Sequence, residues 1–170
     1  MRKRVLVVDD DPSIRASLKK VLEAAGYDVL LAADSQEASN LCDSNCIGLL
    51  ILDLRLPITS GWETFESLTR RNPYVPVIVV TGLANQFTTA LAVGAGALLE
   101  KPIRVPVLLE TMEKLLAESD DDRLRRLCGY RDDTRYVPSA DAPPRRLRGE
   151  RIVPLQKYRL SRPLSKGACT

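Results

Sequence analysis

The chain of 170 residues contains no histidine. Ser-His-Asp hydrolases, histidine kinases and histidine phosphotransfer proteins all require an imidazole, so these three classes are excluded. Long apolar runs are also missing. None approaches the ~18 consecutive apolar residues that read as a membrane-spanning helix. The basic start Met1-Arg2-Lys3-Arg4 is followed by only four apolar residues, too few for the core of a signal peptide. The expectation is a cytoplasmic chain without membrane contact. Cysteine is scarce, at four residues. Cys42 and Cys46 stand at helical i, i+4 spacing and read as two reduced thiols near a helix–sheet contact. Cys128 and Cys169 lie in the tail, and no common zinc-ligand spacing joins the four.

What is present divides into two unlike parts. Residues 1–119 carry 12 basic and 15 acidic side chains, whereas residues 120–170 carry 13 basic and 7 acidic. The overall charge of +3 hides that contrast. One domain followed by an extension is the expected organisation at this length.

The most informative stretch is Asp9-Asp10-Asp11, directly after the apolar run Val5-Leu6-Val7-Val8. Adjacent carboxylates at the end of a buried strand repel one another and lose hydration. A hard divalent cation with oxygen ligands would compensate, and Mg²⁺ takes one or two carboxylates together with phosphate oxygens. A plainer reading has Asp11 as the N-cap of a helix with Pro12 in its first turn. That accounts for Asp11 and leaves Asp9 and Asp10 unexplained.

The same grammar recurs three times. Leu49-Leu50-Ile51-Leu52 ends on Asp53, Val77-Ile78-Val79-Val80 on Thr81, and Ala97-Leu98-Leu99-Glu100 on Lys101 before Pro102. Continuous apolar runs of this length suit strands buried on both faces of a parallel sheet. Val29-Leu30-Leu31 supplies one more strand. Helical spacing fills the gaps: Ile14, Leu18, Val21 and Leu22 with Gly26 as a stop, a helix capped by Ser35, a capping box at Ser60-Gly61-Trp62-Glu63, a segment closing at Gly94, and a last helix carrying Val107, Leu108, Met112, Leu115 and Leu116. Strand and helix thus alternate five times over residues 4 to 118, which argues an open parallel α/β sheet with right-handed crossovers. Ligands of such sheets bind beyond the carboxyl ends of the strands. Asp9, Asp10, Asp53, Thr81 and Lys101 should therefore share one rim. Each has a local alternative: Lys101 as a surface lysine, Thr81 as a strand former, Asp53 as a cap.

With Val7-Val8-Asp9-Asp10, Leu52-Asp53-Leu54-Arg55-Leu56-Pro57, Gly61, Val80-Thr81-Gly82, Gly94-Ala95 and Lys101-Pro102 in this order, the segment resembles the receiver domain of bacterial two-component response regulators, the CheY-like superfamily. The resemblance implies a flavodoxin-like (βα)5 doubly wound sheet of five parallel strands. It implies that Asp53 accepts a phosphoryl group from a sensor histidine kinase or phosphotransfer protein. Asp9, Asp10, Asp53 and the backbone carbonyl of Arg55 would hold Mg²⁺. Thr81 and Lys101 would stabilise charge on the phosphoryl oxygens. Such a domain is not an enzyme towards other molecules; it promotes only its own phosphorylation and dephosphorylation, and relays the signal to a downstream protein. The Lys101-Pro102 bond would be cis. The family's switch pairs the Thr81 position with an aromatic three residues before the lysine, where this chain has Leu98. The segment from Thr81 to Gly94 is also shorter than usual. Both departures lie on the output side, so an unusual partner or a weak readout is expected. Arg55 and Leu83 flank the pocket and bear on the lifetime of the acyl phosphate.

The tail, residues 120–170, reads as a basic, Pro/Arg-rich extension that is irregular or loosely packed. Asp120 to Leu127 could continue the last helix with Arg123, Arg125 and Arg126 in solvent. Pro138, Pro143, Pro144, Pro154 and Pro163 then break any pattern, and no helix-turn-helix is visible. Arg145-Arg146-Leu147-Arg148, with Tyr158 nearby, reads as a solvated tail ahead of a nucleic-acid contact. Were it to bind DNA, the role would be transcriptional regulation. Two further classes remain: a haloacid-dehalogenase-type phosphatase using Asp9 as nucleophile, in which Asp53 would have no role, and an interaction module that takes no phosphate.

Overall fold

The computed structural model describes residues 3–139. Twelve elements follow in order: β1 (Arg4–Val8), α1 (Pro12–Ala24), β2 (Asp28–Ala32), α2 (Ser35–Ser44), β3 (Leu49–Asp53), α3 (Gly61–Arg71), β4 (Val77–Thr81), α4 (Phe87–Ala92), β5 (Ala97–Glu100), α5 (Val105–Ala117), α6 (Asp120–Leu127) and β6 (Arg135–Val137). The strands form one sheet in the order β2-β1-β3-β4-β5-β6. Every pairing is parallel.

The apolar runs explain themselves in this setting. Side chains alternate across a strand. Val5, Val7, Leu49, Ile51, Ile78 and Val80 enter one core, with Leu22, Leu108 and Met112. Leu6, Val8, Leu50, Leu52, Val77 and Val79 enter the other, with Phe65, Leu68 and Leu98. Both faces are covered, so β3 and β4 are apolar up to their carboxyl ends, where Asp53 and Thr81 stand.

Helix ends follow local chemistry. Asp11 caps α1, its side chain accepting the N–H groups of Ser13 and Ile14, and Pro12 sits in the first turn. Gly26 takes φ +91 after the helix, a conformation that suits glycine. The capping box at Ser60 and Glu63 is complete. The cap of α2 is Asp34, with Ser35 the first helical residue; the carboxylate one residue earlier does the work expected of Ser35. Gly61 lets α3 approach β3: a Cβ there would lie 2.3 Å from Leu54 Cα.

The sheet has one strand more than the five expected. Residues 120–127, read as a possible continuation of the last helix, form α6, and β6 lies in the part of the tail expected to be irregular. Helix α6 is a separate helix with its own cap, Ser119, whose hydroxyl accepts from Asp122 N–H. Arg123 and Arg126 are buried, not solvated. Arg126 makes a two-pronged contact with Glu118 at 2.5 and 2.6 Å, and Arg123 donates to the carbonyls of Tyr74, Leu115 and Glu118. Their terminal guanidinium nitrogens are hydrogen-bonded, which offsets much of the cost of burial, while the Nε of each is buried without a hydrogen-bond partner among the described residues. Cys42 is a free thiol, whereas Cys46 is disulfide-bonded, so the expected reduced pair does not hold. The basic stretch around Arg145, together with Tyr158 and Cys169, lies outside the described residues. No described helix is long and apolar enough to cross a membrane.

Candidate functional site

Four strand ends build the site. Strand β1 lies between β2 and β3, and β4 lies between β3 and β5. The registers Val8↔Leu52, Asp53↔Val80 and Thr81↔Glu100 bring the carboxyl ends level. Asp9, Asp53, Thr81 and Lys101 consequently meet at one rim, next to the point where strand order reverses between β1 and β3.

The Lys101 ammonium lies 2.5 Å from Asp53 Oδ2 and 2.9 Å from Asp9 Oδ2. Each carboxylate keeps its other oxygen for a backbone donor: Asp9 Oδ1 accepts from Asp11 N–H at 2.9 Å, and Asp53 Oδ1 from Arg55 N–H at 3.0 Å. Two anchors per carboxylate fix its orientation. Lys101 is itself held by its N–H, which donates to the Thr81 carbonyl at 2.8 Å. Asp9 and Asp53 are each 3% exposed, while Asp10 is exposed at the mouth. Ligand oxygens of Asp9, Asp10 and Asp53 lie within 4.8 Å of one another, a set that can hold a metal ion. All three are hard carboxylate donors, which fits a divalent cation of the oxygen-preferring class.

The charges respond to this crowding. Burial pushes the Asp9 carboxyl above its ordinary range, against the pull of Lys101 and with a further push from Asp53. Burial alone would lower the Lys101 ammonium, but hydrogen bonds and Coulombic attraction from Asp53 and Asp9 outweigh it and hold the group above the usual lysine range. The pocket therefore keeps one proton-bearing cation against a surplus of acid, and a divalent ion would complete the balance.

Thr81 is fully buried, and its hydroxyl oxygen accepts from Leu83 N–H at 3.0 Å. The hydroxyl proton remains available to an acceptor in the pocket. Arg55, whose carbonyl is the expected backbone ligand, adjoins Asp53 through the N–H contact already described. All six sequence-predicted positions are thus on the same rim. Sequence reasoning missed Arg15, whose guanidinium donates to the Asp9 carbonyl and braces the loop; its only signal was a place in the first turn of α1. The Lys101-Pro102 peptide is cis. Leu98 is fully buried in the core, opposite Tyr136 of β6.

Comparison with known proteins agrees with this geometry. The family described as response regulator receiver domain matches residues 5–113. Response regulator MprA of Mycobacterium sp. (strain KMS) is 35% identical over 121 residues, 70% of this chain and 53% of that protein. The alkaline phosphatase synthesis transcriptional regulatory protein PhoP of Bacillus subtilis is 35% identical over 97 residues, 57% of this chain and 40% of that protein. The chain spans about half the length of these curated relatives or less. Among solved structures, a CheY-like response regulator receiver domain protein from Methanospirillum hungatei superposes with TM-score 0.66 at 34% identity, covering 72% of this chain and 97% of that one. TrrA of Thermotoga maritima, solved in complex with Mg(2+)-BeF, gives TM-score 0.62 at 31% identity over 66% of this chain and 98% of that one.

Proposed function

We propose, for a chain that belongs to the response regulator receiver domain family, that Asp53 accepts a phosphoryl group in a two-component phosphorelay and that the signal passes on by protein contact. The donor is a sensor histidine kinase or a phosphotransfer protein, since this chain has no histidine of its own. An Asp53 oxygen attacks phosphorus, the P–N bond to the donor imidazole breaks, and an acyl phosphate remains on Asp53. The reaction is confined to this chain's own aspartate; hydrolysis of that bond resets it. The setting is the cytoplasm.

Asp9, Asp10, Asp53 and the Arg55 carbonyl are the ligands proposed for Mg²⁺. When bound, the ion supplies charge stabilisation on the phosphoryl oxygens. Lys101 offers its ammonium to a second oxygen and Thr81 its hydroxyl proton to a third. Phosphoryl transfer needs this electrostatic help more than covalent help. The observation that carries the reading is the Lys101 ammonium shared between Asp53 and Asp9.

The test is intact-mass analysis after treatment with acetyl phosphate and Mg²⁺. Asp53→Asn should abolish the phosphoryl adduct. Labelling that survived Asp53→Asn but vanished in Asp9→Asn would instead favour the phosphatase-type nucleophile. A second reading, transcriptional control, draws on the printed name of the B. subtilis relative and on the basic stretch from Arg145. DNA binding by the full chain against a chain ending after residue 139 tests it; a chain ending at Ser119 would also lose α6 and β6.

A further inference from the structure

Strand β6 occupies the edge of β5 and contacts residues that adjoin those building the site. Arg135 N–H donates to the Gly96 carbonyl at 3.1 Å, and Thr134 Oγ1 to the Ala95 carbonyl at 2.7 Å. The Arg135 guanidinium reaches Glu110 on α5. Tyr136 makes the connection. Its phenol donates to Glu100 Oε1 at 2.8 Å, and Ser139 N–H donates to Glu100 Oε2 at 3.2 Å. Glu100 precedes Lys101 and is the register partner of Thr81. On its other side the Tyr136 ring packs on Phe87, centroids 4.9 Å apart. Phe87 opens α4, six residues beyond Thr81, along a segment tied to the Thr81 hydroxyl by Leu83 N–H.

Tyr136 therefore touches both branches that leave the site, Lys101–Glu100 on one side and Thr81–Leu83–Phe87 on the other. A ring gripped from two sides is sensitive to any displacement of one grip relative to the other. The hold is also local. Strand β6 has three residues, too few for independent stability. Helix α6 is anchored by the contact of Arg126 with Glu118 and tied by Arg126 to Asp133, just before residues 134–139, and Gly129 at φ +73 forms a bend between them.

We propose that residues 134–139 are a latch on the β5 edge whose hold weakens when Asp53 carries a phosphoryl group. The proposal rests on the reading of Asp53 as phosphoacceptor. A new anion on Asp53 draws the Lys101 ammonium and the Thr81 hydroxyl toward itself. The Leu83 segment and Phe87 follow Thr81, and Glu100 follows Lys101. Either movement degrades a contact that Tyr136 now makes to both, and the edge of β5 is released. Coupling of this kind is reciprocal: a weaker latch must favour occupancy of the site by the same factor.

Hydrogen exchange on the full chain, with and without Mg²⁺ and beryllofluoride as the phosphoryl analogue, tests this. Slower exchange at residues 9–11 and 53–55 reports occupancy of the site. The expected result adds faster exchange of the β6 amides, by at least about fivefold, the low end of common coupling strengths. Slowing at the site with unchanged or slower β6 exchange overturns the latch and leaves the site reading standing. No change at residues 9–11 and 53–55 overturns both, because the latch then has no trigger. Tyr136→Phe keeps the ring and removes the bond to Glu100; calorimetric titration should show it binding the analogue more tightly than the parent chain. Unchanged or weaker binding marks Tyr136 as merely structural and contradicts the proposal.

Discussion

The Lys101 ammonium stands 2.5 Å from Asp53, 48 residues earlier in the chain, and 2.9 Å from Asp9, 92 residues earlier. Both carboxylate side chains are 4% exposed and the lysine 23%. Removing the lysine leaves two buried acids facing each other. Lys101→Met should cost roughly 2–3 kcal/mol with divalent ions chelated, somewhat under the 3–5 kcal/mol of a fully buried pair because Lys101 keeps some access to water. Urea unfolding in chelator measures the loss, and added Mg²⁺ should recover part of it.

Asp9 makes stability depend on pH in a direction that can be fixed in advance. Its folded pKa is raised, chiefly by burial, above the ordinary 3.8. The folded state then holds the proton at pH values where the unfolded chain has released it. Metal-free stability should fall as pH rises from near 3.8 through the raised value, and stay low above it. Lys101, raised above 10.5, gives a contribution that is present below 10.5 and lost only at still more alkaline pH, so it is flat in this window. Urea midpoints in chelator across the acid-to-neutral range should show the decline in the parent chain and a smaller one in Asp9→Asn.

Two glycines share φ +73 and differ in their surroundings. A Cβ at Gly94 would lie 2.7 Å from both the Arg126 carbonyl oxygen and Leu127 Cα, whereas Gly129 has open space. Gly129→Ala should cost about 1 kcal/mol for its conformation alone. Gly94→Ala should cost more, by about 1–3 kcal/mol of overpacking, since the end of α6 must move away from Gly94. Equal losses in chemical unfolding would show that α6 does not dock there.

Arg126 and Arg125 are neighbours with opposite expectations. Arg126 is 3% exposed and faces Glu118 at 12%, so Arg126→Met should cost about 3–5 kcal/mol. Arg125 is 60% exposed in its pair with Asp121, and Arg125→Ala should stay within about 0.5 kcal/mol. The pair of variants, compared by thermal unfolding, tests whether α6 belongs to the folded unit.

Four of the five expected strands and the rim were legible because their apolar runs are buried on both faces and end at Asp9, Asp53, Thr81 and Lys101. Strand β2 is only partly buried and showed itself by its short apolar run alone. Asp9, Asp53, Thr81 and Lys101 needed no contact information to be placed together, only the rule that parallel strands present their carboxyl ends alike. Strand β6 was not legible. Arg135-Tyr136-Val137 is too short to show a period, and its pairing depends on an edge that β5 presents only once folded. The burial of Arg126 was hidden for the same reason: an arginine reads as solvated until Glu118 and Asp133 are brought to it. Asp34 took the capping role from Ser35 because two adjacent residues offer the same oxygen chemistry and the sequence does not say where the first turn begins.

The most direct measurement is peptide mapping of the phosphoryl adduct after exposure to acetyl phosphate, with Mg²⁺ and again with chelator. The account predicts a single labelled site, Asp53, seen with Mg²⁺ and lost on chelation. Label at Asp9 or Asp10, or an Asp53 adduct that forms equally well without a divalent ion, would contradict it.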